Sequence, residues 1–181
     1  MFNFLPFQNL ESQCLLLRQI NVDDVNEVFQ LRSNLQTMQY IPRPLTTTTE
    51  EALYHIKMIQ DKIETNEGIN WAVTLKGDNK LIGIVGHYRI KWEHFRSEIG
   101  YMILPEYNGK GIVTEVVGLF LDYGFNTMNM HSIEAVIDPR NTASRRVLEK
   151  NGFVKEAYFK EHEFYNGAFL DSEVYSIINK S

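Results

Sequence analysis

Apolar residues recur along the chain with two periods, and the two periods alternate in blocks. Alternating or continuous apolar runs, which are typical of strands, occur at 14–20, 70–76, 81–88, from Glu98 onward, and at 131–137, 154–164 and 168–178. Apolar residues at helical spacing predict four helices, at 22–35, 49–65, 114–125 and 141–152. Asn21, Thr48 and Asn141 stand where side-chain caps would begin three of these helices, and Gly152 would end the last. The pattern therefore predicts an α/β (α+β) fold with about seven strands and four helices.

The order of these elements indicates how the strands pair. Three successive strands, ending with the one that starts at Glu98, predict an antiparallel meander, since a Gly-Asp-Asn turn joins the first two. The strand from Glu98, the helix 114–125 and the strand 131–137 form a βαβ unit, which predicts a parallel pair with a right-handed crossover. The last two strands predict a hairpin closed at 165–167. Because no repeat or linker interrupts the chain, we expect a single domain over residues 1–181.

The stretch from Glu98 to Thr114 has the composition of an anion site. It runs as strand, glycine loop and first helical turn, and Gly109 and Gly111 leave the loop backbone without side chains. Backbone N–H groups that turn inward just before the positive end of a helix dipole make a concave site for phosphate. The loop is not a P-loop, because Ile112 follows its last glycine, nor a Rossmann fingerprint, because Thr114 stands where the third glycine would be. We therefore expect a phosphate-containing ligand of another family.

Composition and charge narrow the class of protein. With 181 residues, 44% of them hydrophobic and 23% charged, the chain suits one globular domain, and no apolar run approaches the ~18 residues of a membrane span. The first residues lack the features of a signal peptide and Cys14 is the one cysteine, so we expect a cytoplasmic protein without disulfides. The net charge of -5 and the lack of a Lys/Arg block argue against a nucleic-acid partner, and the histidines show no metal-ligand spacing.

Two segments resemble the GNAT superfamily of acyl-CoA-dependent N-acyltransferases. The first is Leu-Pro-Glu-Tyr-Asn-Gly-Lys-Gly-Ile-Val-Thr-Glu at 104–115, and the second is Asn-Thr-Ala-Ser-Arg-Arg-Val-Leu-Glu-Lys-Asn-Gly-Phe at 141–153. With the Tyr-Asn-Gly turn at 165–167 and Asp-Ser at 171–172, they resemble in particular the branch that contains the ribosomal-protein N-terminal (alanine/serine) acetyltransferases. The resemblance covers nearly the whole chain and implies a mixed sheet that is splayed between its fourth and fifth strands.

The resemblance implies that acetyl-CoA is the cosubstrate and that its pyrophosphate rests on the glycine loop. The loop residues that would hold it are Asn108, Gly109, Lys110, Gly111, Ile112, Val113 and Thr114. Pantetheine would lie in the splay, at a bulge, against the main chain of Met102, Ile103 and Leu104, and beside Asn141 and Ser144. Asn141 could serve as a helix cap alone or in both roles.

The chain departs from the family pattern at three positions. Asn108 stands where Gln or Arg is common, and Val113 stands where Gly or Ala is common. The branched side chain of Val113 would lie close to the phosphates, so either affinity is reduced or the loop sits differently. Leu148 occupies the position of a tyrosine that protonates the departing thiolate in many members, so that phenol is missing.

Acyl transfer from a thioester to an amine needs a neutral nucleophile and a donor for the developing oxyanion. Main-chain N–H groups near 102–104 are the expected oxyanion donors. Glu98, at the start of the central strand, is the expected base, acting directly or through water. The alternatives are that Glu98 is a substrate anchor or a solvated carboxylate, and that Glu161, His162 or Glu163 approaches from the last hairpin.

The leaving thiolate must also be neutralised. Ser144, one helical turn beyond Asn141, is the expected hydrogen-bond partner of the CoA sulfur, and the alternative is a plain helix residue. Cys14 has no histidine nearby in the sequence, so we expect direct transfer within a ternary complex and no acyl-enzyme.

Loops beside the base are expected to wall the acceptor pocket, because specificity varies on the loops of a shared scaffold. The candidate substrate-binding side chains are Tyr40, Trp92, Phe95, Glu98, His162 and Phe164. The resemblance implies a primary amine acceptor, with a protein or peptide N-terminal α-amine as the leading hypothesis. A small-molecule amine (polyamine, amino acid or antibiotic) is the alternative, and a non-catalytic acyl-CoA-binding module is an alternative of another class. We expect no metal, and a monomer or a homodimer.

Overall fold

One mixed sheet of eight strands runs through the computed structural model, which describes residues 2–180. The strands are β1 (Leu10–Glu11), β2 (Leu15–Gln19), β3 (Ile69–Leu75), β4 (Gly83–Lys91), β5 (Arg96–Ile103), β6 (Ser132–Ile137), β7 (Val154–Tyr165) and β8 (Ala168–Ile178). Within the same residues there are five α-helices: α1 (Val25–Ser33), α2 (Leu35–Met38), α3 (Thr49–Glu64), α4 (Ile112–Asp122) and α5 (Thr142–Lys150). The predicted α/β class is confirmed.

The structure has one more strand and one more helix than predicted, and both additions are very short. β1 has 2 residues and α2 has 4, too few to show a period in the sequence. The predicted helix 22–35 is also divided, because a 3₁₀ turn at Val22–Asp24 precedes α1 and Asn34 separates α1 from α2. The Asn34 side chain accepts from the N–H of Thr37, and this local bond competes with a continuous helix.

Strands β5 and β6 pair in parallel, as predicted, and then diverge. Their register covers only Arg96–Glu98 against Ser132–Glu134, whereas β4 and β5 stay paired as far as Ile103. The order across the sheet is β1-β2-β3-β4-β5-β6-β8-β7, and every other neighbouring pair is antiparallel. The predicted fourth and fifth strands are β5 and β6, because β1 was not predicted. The predicted splay is therefore confirmed, and it leaves a gap between β5 and β6.

The prediction of a bulge at 102–104 is wrong. The register of β4 against β5 is regular through Ile103, and its shift falls instead between Tyr88 and Lys91 of β4. Arg89, inside that shift, has a φ of 44°. The gap therefore opens because β5 and β6 stop pairing, not because β5 is bulged.

Side-chain caps begin three of the four predicted helices, as expected. The side chain of Asn21 accepts from the N–H of Asp23, Thr48 accepts from Glu51, and Asn141 accepts from Ser144, over 2.8, 3.3 and 3.0 Å. Gly152 follows α5 with a φ of 85°, a conformation that glycine adopts without strain. The second of these caps fixes the start of α3, and the third fixes the start of α5 beside the gap.

The core fills the space between the sheet and the packed helices, with α1 against α3 and α4 against α5. The Trp71 ring, fully buried on β3, lies 5.7 Å from the ring of Phe120 and 5.1 Å from that of Tyr123. On α3, Ala52 is buried, whereas Leu53 is 41% exposed. No helix in residues 2–180 is long and apolar enough to cross a membrane.

Candidate active site

The glycine loop between β5 and α4 presents a row of backbone N–H groups. After a 3₁₀ turn at Pro105–Tyr107, the chain passes through Gly109 and Gly111, whose φ angles are 74° and 80°. Gly111 is the N-cap of α4. From residue 109 to residue 114, no backbone N–H donates to another residue of the described chain 2–180. These N–H groups and the positive end of α4 form a concavity that suits a diphosphate.

Side chains of the loop leave this row open. Asn108 and Lys110 are exposed, and Lys110 Nζ lies 5.1 Å from the ring centre of Tyr107. Val113 packs its side chain against the core, beside the buried Ile112. The branched residue that departs from the family pattern therefore turns toward the core.

The main chain beside the gap differs from the prediction. Leu104 is fully buried, and its N–H donates to the carbonyl of Ile82 over 2.9 Å. Main-chain groups of successive strand residues point to opposite sides, so residues two apart point to the same side. Met102, like Leu104, therefore directs its N–H and C=O toward β4. Ile103 and Tyr101 direct theirs toward the gap, beyond the last β5–β6 pair. The expected main-chain role of Met102 and Leu104 is therefore contradicted, that of Ile103 is retained, and Tyr101 is added.

One groove of about 480 Å³ joins this gap to the surface between α1, α3 and β4. Five predicted site residues line it, namely Tyr40, Glu98, Met102, Asn141 and Ser144. Its walls also contain polar residues that carried no predicted role: Arg32, Arg43, His55, Lys62, Glu67, Asn70, Tyr88, Arg89, Tyr101 and Asp138. We call the part lined by Tyr101, Met102, Asn141 and Ser144 the donor half, and the part lined by α1, α3 and β4 the acceptor half. Glu98 lies between them.

Asn141 and Ser144 meet at the donor half, as predicted from their spacing. The Asn141 Oδ1 accepts from the Ser144 N–H, while its Nδ2 donates to no residue in 2–180. The cap therefore leaves the Asn141 N–H₂ group free to donate to a ligand in the groove. Leu148, one turn further along α5, is fully buried in the core.

A phenol reaches the donor half from β5 instead. The Tyr101 hydroxyl is buried and has no hydrogen-bond partner of ordinary geometry within residues 2–180. Burial raises the pKa of Tyr101 to about 12, although the neighbouring Ser144 hydroxyl acts in the opposite direction. The phenol is therefore protonated at neutral pH and able to donate a hydrogen bond.

Glu98 has the electrostatic environment of a base. Burial raises the pKa of its carboxyl group, and the nearby carboxylates of Glu134 and Glu163 raise it further. Arg89 opposes these effects through an ion pair of 2.7 Å between its Nη1 and Glu98 Oε2. The net shift is upward, which brings the carboxyl group closer to the pH at which it can accept a proton efficiently.

Two facing glycines make room for the polar floor of the acceptor half. Gly86 on β4 lies opposite Gly100 on β5. A Cβ on Gly100 would lie 2.9 Å from Cε2 of Tyr88, and a Cβ on Gly86 would lie 2.6 Å from Nδ2 of Asn70. Asn70 Nδ2 donates to the Tyr88 hydroxyl over 2.6 Å, so both side chains lie close over the sheet. Glycines inside two predicted strands were the sequence signal for this close approach.

Trp92 and Phe95 are not brought to the groove. Trp92 stacks on Phe2 at 5.4 Å between ring centres and donates from Nε1 to the carbonyl of Asn66. With Phe95 it lines a separate hollow of about 440 Å³. The N-terminal segment covers the Trp92 ring, which explains why the expected acceptor role does not fit.

On the closing hairpin, Glu163 is oriented differently from its neighbours. His162 is exposed and stacks on Phe159, with 4.9 Å between ring centres, and Phe164 is 63% exposed. Neither lines the groove. Glu163 forms a 3.2 Å ion pair with Arg43, a groove residue, so the hairpin reaches the acceptor half through this carboxylate.

Cys14 and His55 have no catalytic surroundings. Cys14 is exposed and does not line the groove. His55 lines the acceptor half, where burial, with Arg32 and Lys62 nearby, lowers its pKa to about 4 and leaves the ring neutral. Within residues 2–180, no group of three or more His, Cys, Asp or Glu residues is placed to hold a metal ion.

Comparisons with known proteins agree with this geometry. The family model described as "Acetyltransferase (GNAT) domain" matches residues 15–154. "Uncharacterized N-acetyltransferase YoaA" of Bacillus subtilis is 34% identical over 172 residues, which are 95% of this chain and 97% of that protein.

Two solved structures share the fold over more than nine tenths of each chain. Spermidine N-acetyltransferase from Vibrio cholerae, in complex with CoA and spermine, is 27% identical with a TM-score of 0.81, over 92% of this chain and 96% of that one. Ribosomal-protein-S5-alanine acetyltransferase from Vibrio fischeri is 28% identical with a TM-score of 0.82, over 96% and 97%. The chain therefore belongs to the GNAT acetyltransferase family and is an N-acetyltransferase that uses acetyl-CoA.

Proposed function

We propose that the protein acetylates the α-amine of a protein or peptide N-terminus, by direct attack of the amine on acetyl-CoA within a ternary complex. The observation that carries this proposal is the charge of the acceptor half. Solved relatives named for spermidine and for a ribosomal protein are similar to this chain to nearly the same degree, so similarity does not choose between these acceptors.

The groove wall lacks the excess of carboxylates that would attract a polyamine. Four cationic side chains line the groove, namely Arg32, Arg43, Lys62 and Arg89. Its carboxylates Glu67, Glu98 and Asp138, with Glu163 paired to Arg43, only equal them in number. Asp138 is further neutralised by Arg140, at 2.6 Å. A polyamine carries several ammonium groups, and like charges in a partly desolvated groove repel. A peptide N-terminus brings one ammonium group and fits this wall better.

Glu98 is the proposed base. It lies between the two halves of the groove, where an amine entering from the acceptor half would meet the thioester. Its raised pKa makes the carboxylate a better proton acceptor for the substrate ammonium. Glu163, tied to Arg43, is the alternative base.

Tyr101 and Ser144 are the proposed partners of the leaving sulfur. The gap in which pantetheine would lie is flanked by both hydroxyls, and the Tyr101 hydroxyl has no other partner among residues 2–180. A phenol is a stronger acid than a serine hydroxyl, so Tyr101 is better suited to protonate the thiolate. In this arrangement β5 supplies the phenol that Leu148 does not.

A panel of acceptors tests the function. CoA thiol release would be measured with peptides bearing free or acetylated N-termini, with spermidine and with free amino acids. We expect turnover with the free N-termini and little with spermidine. A strong preference for spermidine would contradict the peptide proposal. A non-catalytic acyl-CoA-binding module, which the family assignment does not favour, would bind acetyl-CoA but release no thiol with any amine.

Two variants test the assigned roles. Glu98→Gln should lower kcat by about 10²- to 10⁴-fold while leaving acetyl-CoA binding by calorimetry intact, since general acid–base groups contribute that much. Glu163→Gln is the matched comparison, and a larger loss there would move the base to the hairpin. Tyr101→Phe should lower kcat without changing the affinity for acetyl-CoA, and wild-type kinetics would remove Tyr101 from the chemistry.

A further inference from the structure

Arg32 and Lys62 are the acceptor-half cations that form no ion pair within residues 2–180, and of these Arg32 is half-buried whereas Lys62 is exposed. We propose, on the basis of the acetyltransferase function above, that Arg32 forms an anion subsite that binds a carboxylate carried by the amine acceptor. The inference narrows the substrate class from any N-terminus to one with an acidic group close to the amine.

Arg32 differs from the other arginines in its surroundings. Six of the eight arginines form ion pairs with a carboxylate: Arg18, Arg43, Arg89, Arg96, Arg140 and Arg145. Arg146 is exposed on α5. Arg32 is half-buried, and no carboxylate of residues 2–180 lies within ion-pair distance of it. A guanidinium group partly removed from water without a counter-ion is destabilising, and an anionic ligand would supply the missing charge.

The Arg32 side chain is also held in place. It lies in the last turn of α1, and its Nε donates to Oγ1 of the buried Thr46 over 3.2 Å. The Thr46 N–H donates in turn to the Arg32 carbonyl over 3.1 Å. These two bonds hold the Nε side of the guanidinium group, and the Nη atoms of this groove-lining residue form no hydrogen bond within residues 2–180. That fork geometry matches a carboxylate, which can accept two parallel bonds.

None of the adjacent groups can neutralise Arg32. His55 is neutral, because burial, Arg32 and Lys62 lower its pKa to about 4. Tyr88 is neutral as well, because burial raises its pKa to about 12. Arg43 and Lys62, two further cations on the same wall, add positive potential, and burial together with Arg43 lowers the pKa of Arg32 itself. The local field is therefore positive and favours an anion.

The position of Tyr88 indicates how far the anion lies from the amine. Tyr88 pairs with Glu98 across β4 and β5, and its phenol lies near enough to Arg32 for the guanidinium charge to lower the pKa of the phenol. The Tyr88 side chain therefore neighbours both the base and the proposed anion subsite. The carboxylate of a free amino acid is only about 2.5 Å from its own nitrogen, which is too short to span a phenol. The side chain of an acidic second residue in a peptide is long enough.

Matched acceptors separate the two possible sources of the carboxylate. C-terminally amidated hexapeptides that begin Ala-Asp and Ala-Asn, followed by alanines, differ in a single carboxylate, and alanine and alaninamide differ in the α-carboxylate alone. Thiol release at saturating acetyl-CoA would give kcat/KM for each. We expect the Ala-Asp peptide to exceed the Ala-Asn peptide by about tenfold or more, the size of a charge-assisted hydrogen bond. Alanine should not exceed alaninamide.

Variants assign that preference to Arg32. In Arg32→Gln the ratio of kcat/KM for the Ala-Asp peptide to that for the Ala-Asn peptide should fall to within about twofold of unity, because the carboxylate contact is lost. Thr46→Val keeps the cation and removes its anchor, so an intermediate ratio is expected even if Arg32→Gln folds poorly. Lys57→Gln removes a charge from the exposed face of α3 outside the groove, and it should leave the ratio unchanged.

The outcomes distinguish this inference from the proposed function. Turnover of both peptides with equal kcat/KM would overturn the anion subsite and leave the acetyltransferase proposal standing. If no peptide is turned over, the proposed function fails, and calorimetry with the N-acetylated Ala-Asp and Ala-Asn peptides in the presence of CoA still tests the subsite. Equal binding of these two peptides would then overturn it, whereas tighter binding of the acidic peptide that is lost in Arg32→Gln would support it.

Discussion

Arg89→Gln should make the reaction more sensitive to acid. The Arg89 guanidinium lies 2.7 Å from the Glu98 carboxylate and favours its ionised form. Removal of this cation favours the protonated form, so the pKa of Glu98 rises further above its ordinary value. A base must be ionised to accept a proton, so the acidic limb of the pH–rate profile should move toward higher pH.

The size of the effect follows from the exposure of the two partners. Two unit charges 2.7 Å apart attract by about 1.5 kcal/mol in bulk water and about 6 kcal/mol at an effective dielectric constant of 20. The Glu98 side chain is 15% exposed, but that of Arg89 is 62% exposed, so solvent screens the pair from one side. The appropriate range is that of exposed pairs, about 0.2–1 kcal/mol, or about a 1.4- to 5-fold change in the acid dissociation constant.

The assay is kcat/KM for a peptide acceptor across the acidic limb and the plateau. On the acidic limb, the rate is proportional to the ionised fraction of Glu98, so Arg89→Gln should lose about 1.4- to 5-fold there and little on the plateau. The matched control is Lys91→Gln, which removes an exposed cation on the same strand outside the groove. It should change neither the acidic limb nor the plateau of kcat/KM. An acidic limb that stays in place, or that moves to lower pH, would refute the assignment of Glu98 as a base held by Arg89.

Three further changes test the fold at the glycine loop, at a closely packed glycine and at a buried ion pair. Gly111→Ala places a Cβ at a φ of 80°, which should destabilise the protein by about 1–2 kcal/mol in urea titration and weaken CoA binding by calorimetry. Gly124→Ala places a Cβ 2.5 Å from Cδ1 of Ile133, and overpacking of about 1–3 kcal/mol should appear as a lower urea midpoint. Asp24→Asn breaks the buried pair with Arg18, at 2.6 Å, and should cost about 3–5 kcal/mol in the same titration.

The parts of the fold that could be predicted are those whose signals lie within a few residues. A cap at Asn141 and a stop at Gly152 define α5 from both ends, and the Gly109 and Gly111 pair marks the loop before α4. These features depend on local backbone conformation. A capping side chain starts a helix by accepting a backbone hydrogen bond, and glycine, which has no side chain, adopts the positive φ of a turn. The order of the elements then constrains the parallel pair, because crossovers have one hand.

Contacts between distant segments could not be predicted in this way. Trp92 was expected in the acceptor pocket because it stands in a polar link between strands, yet Phe2 and Phe4, about 90 residues earlier, pack on its ring. Arg32 and Thr46 look like ordinary surface residues until α1 and the segment before α3 are brought together. Periodicity reports which face of an element is buried but not which element covers it.

The sequence resemblance implied a tyrosine on α5 as the donor to the leaving thiolate, and this chain has Leu148 there. The structure shows why that donor role need not belong to one sequence position. Leu148 is fully buried, so the helix position at which the family resemblance implies a tyrosine is here part of the core. The gap beside α5 is also bounded by β5, because β5 and β6 cease to pair after Glu98. Tyr101 on β5 lines the same groove as Ser144 of α5, so the proposed donor role of its phenol does not need a tyrosine at position 148, where Leu148 packs in the core. What the chemistry requires is a protonated donor beside the sulfur, and the geometry of the gap allows either wall to supply it.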